Sequence, residues 1–111
     1  VFFHKRRAHA IDFDDSGFGY WIYDLAIPLS DWEGNDMWPA YRKALLEGYQ
    51  ETRSIPEKQL SQLELFQAAI RSLEIFWGTA ATMRYPDSTY WIKRREEAWR
   101  HLNRYLKENP T

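Results

Sequence analysis

Between Leu60 and Trp77 apolar residues return at every third or fourth position: Leu60, Leu63, Phe66, Ile70, Leu73, then Phe76 or Trp77. That is the period of one face of an α-helix, so a long helix burying one stripe is predicted here. Ala68, Ala69, Ile75 and Ala80 widen the stripe, which makes this the central and most buried helix. Ser54-Ile55-Pro56-Glu57 stands in front of it with the S-x-x-E spacing of a capping box, and Pro near the first helical position. A chain with such a stripe must provide other elements to cover it.

The neighbouring segments read as helices too. From Asp36, the residues Met37 or Trp38, Tyr41, Leu45 and Gly48 or Tyr49 recur at helical spacing, with Pro39 tolerated in the first turn. Tyr85-Pro86-Asp87-Ser88 is predicted to be a turn, with Ser88 as N-cap of a last helix reaching about Glu108. Trp91 or Ile92, Ala98 or Trp99, Leu102 and Tyr105 or Leu106 are its expected inward residues. Residues 20–29 form an apolar stretch with one charge, Asp24, read as a short helix that Pro28 stops or kinks. Ser30 to Asp36 is a polar connector. At the start, residues 1–4 and 8–13 read as strands of a hairpin turning through Lys5-Arg6-Arg7.

The expected fold class is therefore mainly α (α+β): a short N-terminal β-hairpin followed by about four helices. Residues 1–111 form a single partial domain. Within it, 1–15 hold the hairpin and an acidic segment, 16–35 a loop and short helix, and 36–111 a helical C-terminal region. A lone hairpin is marginal in water and needs covering.

Composition narrows the function. Fifteen basic and sixteen acidic residues leave a net charge of −1, which gives no footprint for nucleic acid or an anionic membrane. Arg84, Lys93, Arg94, Arg95, Arg100 and Arg104 cluster locally, diluted by Glu96, Glu97 and Glu108, and read as a solvated helix face. The absence of cysteine excludes disulfides and thiolate metal sites. No apolar run approaches the ~20 residues of a membrane span, and the order of residues 1–7 is the reverse of a signal peptide. A cytoplasmic location is expected. Six Trp, seven Tyr and six Phe are many for 111 residues. A chain this small buries only ~60–65% of its unfolded surface, so some aromatics should face a partner surface or a missing part of the same protein, and self-association is expected.

Chemistry is expected at the end of the second strand. Asp12, Asp14 and Asp15 fall just ahead of Gly17 and Gly19. Carboxylate oxygens suit Mg²⁺, which takes one or two of them together with phosphate oxygens and water. The same cluster also fits a polar turn whose Asp side chains cap local backbone. His4, His9 and His101 have no metal-ligand spacing and read as surface or edge residues, with His4 and His9 near each other across the hairpin turn. Ser16 and Ser30 have no neighbouring base, so a hydrolase triad has no support.

The run I-D-F-D-D-S-G-F-G-Y-W-I-Y-D-L-A, residues 11–26, resembles the metal-binding segment of the aminoglycoside phosphotransferase and choline kinase-like family. That family shares the fold of protein kinases and phosphorylates small-molecule hydroxyls with ATP. The resemblance implies that the chain matches part of the C-terminal lobe of a kinase-like fold. It makes Asp12 the Mg²⁺-binding aspartate and Asp14 a helper for metal or its water shell. It makes Asp24 a buried residue that hydrogen-bonds the catalytic loop. The implied partners are Mg²⁺, ATP and a small hydroxyl acceptor in the intact enzyme. Trp32, Trp38, Tyr41, Trp77 and Tyr85 are candidates for lining an acceptor pocket, although aromatics at helical spacing also serve as core.

The chain departs from the family in several places. It holds no H-G-D-x-H-x-x-N catalytic loop, no Gly-rich nucleotide loop and no phosphate-contacting Lys, and Pro28 interrupts a normally continuous helix. No catalytic residue is therefore expected within the chain. It should be inactive alone, because one metal ligand cannot supply the positioning and charge that phosphoryl transfer needs. Val at position 1 fits a fragment of a longer protein. The competing expectation is a non-catalytic helical interaction or oligomerisation module.

Overall fold

The structure, a computed structural model, describes residues 1–13, 17 and 19–110. It is mainly helical, with a two-stranded hairpin at the N-terminus, as the periodicity predicts. Strands β1 (Phe2–His4) and β2 (Arg7–His9) pair antiparallel in the register Phe2↔His9, Phe3↔Ala8 and His4↔Arg7. The turn is two residues, shorter than the expected three: Lys5 and Arg6 both take left-handed backbone, φ 47° and 63°. Positive φ at both central positions is the type I′ arrangement, whose twist matches the flanking strands. Without Gly or Asn it costs about 1–2 kcal/mol per residue. Every strand residue is exposed. His4 and His9 are not directly paired but share one face of the hairpin, each with its ring 6.3 Å from that of Phe2.

Helix α1 (Trp21–Trp32) runs through Pro28 and past the expected connector start at Ser30. Burial outweighs the missing hydrogen bond. Ile22, Leu25, Ala26, Leu29 and Ser30 are all buried, and continuing the helix keeps Leu29 and Ser30 on the same face as Leu25 and Ala26. Ser30 hides its hydroxyl by donating to the Ala26 carbonyl at 2.9 Å. A turn follows in which Gly34 has φ 88°. A Cβ there would meet His101 Cε1 at 3.4 Å, an ordinary contact, so it is the left-handed backbone that favours glycine. Asn35 Oδ1 then accepts from the Met37 N–H at 2.9 Å and leads into α2 (Trp38–Gln50).

The expected capping box does not form. A one-turn helix α3 (Glu57–Leu60) has Pro56 at its N-cap, and α4 (Leu63–Arg84) begins separately after it. Ser61 Oγ donates to the Lys58 carbonyl at 2.8 Å, competing with helix continuation. The break lets Ile55 and Leu63 both enter the core. Tyr85 to Ser88 turns the chain into α5 (Thr89–Glu108), where the Trp91 N–H approaches Ser88 Oγ at 3.5 Å, as the N-cap reading requires.

The core joins Ile22, Leu25, Ala26 and Leu29 of α1 to Leu46, Ile55, Leu63 and Ile70, with Trp21, Tyr23, Tyr41 and Phe66 packed against it. Helix α4 is central, lying between α1 and α5. Its phase differs from the expectation, however. Leu73, Phe76 and Trp77 are exposed, while Gln67, Arg71 and Gly78 are buried. The most buried helix is α1. On α5, Ala98 is buried and Trp99 and Leu106 are exposed. At Gly78 the two long helices touch: an added Cβ would meet Arg95 Cβ at 3.0 Å. No helix among the described residues is long and apolar enough to cross a membrane.

Candidate functional site

Asp12 sits on exposed backbone just after the hairpin, with φ 65°. Left-handed backbone is rare outside glycine and persists where the surroundings impose it, often at functional sites. Among the described residues the carboxylate makes no hydrogen bond or ion pair, and the residue is exposed. That donor set fits a Mg²⁺ ion held by one protein carboxylate, with phosphate and water completing the shell. Among the described residues no group of three or more His, Cys, Asp or Glu side chains forms a closed metal cage. Asp14, the other candidate ligand, lies outside the described residues, as do Asp15 and Ser16.

Asp24 is exposed in the first turn of α1, contrary to the buried position expected of it. The apolar run around it is helical, and the helical period places Asp24 on the face away from Ile22, Leu25, Ala26 and Leu29. Solvent and the helix N-terminus satisfy the charge there.

The most built polar site lies elsewhere, where α1, α4 and α5 meet. Arg71 is buried on α4. It donates to the Ser30 carbonyl, to Glu33 at 3.0 Å and to Glu74 at 2.6 Å. Burial of its inner face keeps α1 helical through Ser30, whose carbonyl at the helix end accepts from the Glu33 N–H at 3.3 Å and from Arg71. Glu33 also accepts from Arg104 and lies 3.4 Å from His101 Nδ1. Arg94 bridges Glu74 at 2.8 Å and Asp31 at 3.2 Å. Burial opposes the Arg94 charge, but Glu74 and Asp31 outweigh it and hold its pKa above the ordinary value. Burial pushes His101 below its ordinary pKa; Arg71, Arg104 and Arg100 act in the same direction, and Glu33 opposes them.

A cleft of about 280 Å³ opens beside this network, lined by Glu33, Trp38, Gln67, Arg71, His101 and Tyr105 among others. Gln67 Nε2 and Arg71 Nε are buried beside it without an acceptor among the described residues. The lining combines paired charges with aromatic walls.

Of the aromatics proposed for a pocket, Trp38 reaches this cleft and donates Nε1–H to the Leu29 carbonyl at 3.0 Å. Trp32 stacks on Tyr41 with centroids 5.1 Å apart, while Trp77 and Tyr85 are exposed. Two expectations are corrected here. The basic residues of α5 are only partly a solvated face, since Arg94 and Arg104 tie it to α1 and α4. His101 is a half-buried member of the network, where a surface residue was expected. Arg71 was missed altogether. The one sequence signal for it is a charge on the same helical face as Gln67 and Gly78, opposite Phe76 and Met83. Compared with protein-family models, curated proteins and solved structures, the chain matches none.

Proposed function

We propose that this chain supplies the metal-binding segment and part of the helical C-terminal region of an ATP-dependent phosphotransferase acting on a small-molecule hydroxyl. The observation that carries the reading is Asp12: the first aspartate of the I-D-F-D-D pattern is exposed, is held in left-handed backbone, and its carboxylate meets no partner among the described residues. Asp12 would hold Mg²⁺, with Asp14 beside it in sequence. When bound, the ion would offset negative charge on the transferring phosphoryl group. The role of this chain's residues is to hold that carboxylate just after a hairpin and ahead of helix α1. The base, the asparagine and the nucleotide-contacting groups that such chemistry needs would come from outside this sequence, so residues 1–111 alone should not catalyse transfer.

The test is the reading frame ahead of the Val1 codon and the activity of its full product. The proposal expects an in-frame H-G-D-x-H-x-x-N ending one residue before Val1. It also expects Mg²⁺-dependent transfer from ATP to a small hydroxyl compound, abolished by Asp12→Ala. A full product whose transfer survives Asp12→Ala, or which binds no Mg–ATP, refutes the reading. A second reading, a helical association module, is favoured by a separate observation: between Leu65 and Met83 the exposed residues of α4 carry no charge.

A further inference from the structure

Helix α4 is built inside out. Its central charges, Arg71 and Glu74, turn inward to the ion network. Its exposed residues from Leu65 to Met83 are Leu65, Ala69, Ser72, Leu73, Phe76, Trp77, Thr79, Ala80 and Met83, with no charge among them. At about 100° per residue, Leu65, Ala69, Phe76, Ala80 and Met83 fall on one narrow line, flanked by Leu73 and then Trp77. A helix exposed to water normally carries its charges on the outer face. This stripe is therefore suited to being covered.

The exposures are large: Leu65 54%, Leu73 47%, Phe76 64%, Trp77 62% and Met83 83%. With aromatic side chains offering about 150–250 Å² each, the apolar patch is on the order of 600 Å². That is the upper end of what a monomer leaves open, about 300–600 Å². With its polar rim it approaches the ~800 Å² that each partner contributes to a standard interface.

The order of residues along the stripe points to the occupant. Ala69 and Ala80 stand equally far from the midpoint between Glu74 and Ile75, as do Leu73 and Phe76, and Ser72 and Trp77. Leu65 and Met83 are nearly equidistant from it. A two-fold axis through that midpoint would set Ala69 against Ala80 of a partner, Leu73 against its Phe76, and Leu65 against its Met83. Ala69 then meets Ala80 where backbones approach, Leu73 and Leu65 meet the large Phe76 and Met83, and Ser72 leaves room for Trp77. This is the self-complementarity of an isologous contact.

We propose that α4 is a homodimerisation helix, pairing antiparallel with α4 of a second copy of this chain. The proposal does not depend on the phosphotransferase reading, and its failure would leave that reading untouched.

The chain lacks cysteine, so engineered thiols report the geometry cleanly. In a mixture of Ala69→Cys and Ala80→Cys proteins, oxidation should yield a cross-linked dimer. Each variant alone should not cross-link, because like positions would sit about 16 Å apart along the antiparallel pair, beyond the ~7 Å reach of a disulfide. Light scattering should show a dimer at micromolar concentration. Phe76→Glu, an exposed change, should weaken the dimer by at least about a hundredfold with unchanged circular dichroism. A wild-type monomer at the highest concentration would overturn the proposal and leave the stripe to another segment or protein. A dimer indifferent to Phe76→Glu, or cross-linking of Ala69→Cys with itself, would also overturn it.

Discussion

Removing Arg71 should be the most damaging single change to the fold. Its side chain is 8% exposed, and its partners Glu33 and Glu74 are 15% and 12% exposed. Deleting one partner of a buried ion pair typically costs about 3–5 kcal/mol, since the other charge stays buried. Here both carboxylates retain a cation, Glu33 through Arg104 and Glu74 through Arg94. The Ser30 carbonyl keeps none of its Arg71 bond. Arg71→Ala is therefore expected near the low end, about 3 kcal/mol, which for a domain of this size lowers Tm by roughly 10–20 °C. Arg71→Lys keeps the charge but loses the planar fork that reaches three acceptors, and should fall between the two. The assay is urea unfolding followed by circular dichroism, run as a double-mutant cycle with Glu33→Gln. A coupling of about 1–3 kcal/mol is expected. An Arg71→Ala protein within about 0.5 kcal/mol of wild type, or a cycle with no coupling, would refute the view that this network ties α1 to α4.

Other consequences follow from single positions. The folded-state pKa of His101 lies below its unfolded value, so the unfolded chain binds more protons as pH falls below about 6.5. Stability should therefore drop on acidification through that window, and less so in His101→Gln; identical urea midpoints against pH in the two proteins would contradict this. Gly48 has open space where a Cβ would point, so Gly48→Ala in α2 should stabilise by about 0.5–1 kcal/mol. Gly78→Val should instead destabilise by about 1–3 kcal/mol, because its side chain would strike Arg95 of α5; both are read from thermal unfolding. Asp12 is exposed and has no partner among the described residues, so Asp12→Ala should change stability by less than about 0.5 kcal/mol, separating any loss of Mg²⁺ binding in the full product from misfolding.

Local chemistry made several elements legible in the sequence. The period of Leu63, Ile70 and their neighbours gave helix α4, Ser88 marked the start of α5, and the β-favouring start gave the hairpin. The acidic pattern at Asp12 was also visible, because a motif is a property of contiguous residues. The phase of α4 was not. Leu73, Phe76 and Trp77 are as apolar as Leu63 and Ile70, and composition cannot say which of two apolar faces a helix turns inward. Tertiary packing decided it. Helix α1 continued through Pro28 and offered the Ser30 carbonyl and Glu33 to Arg71, and satisfying that buried cation fixed the rotation of α4. Residues 38 to 67 positions apart in sequence, such as Arg71 with Glu33 and His101 with Gly34, meet only in the folded chain. The sequence by itself determined a mainly helical chain behind an N-terminal hairpin, and the start of α5 at Ser88. Only the folded structure decided which charges are buried, and that the widest apolar stripe faces outward.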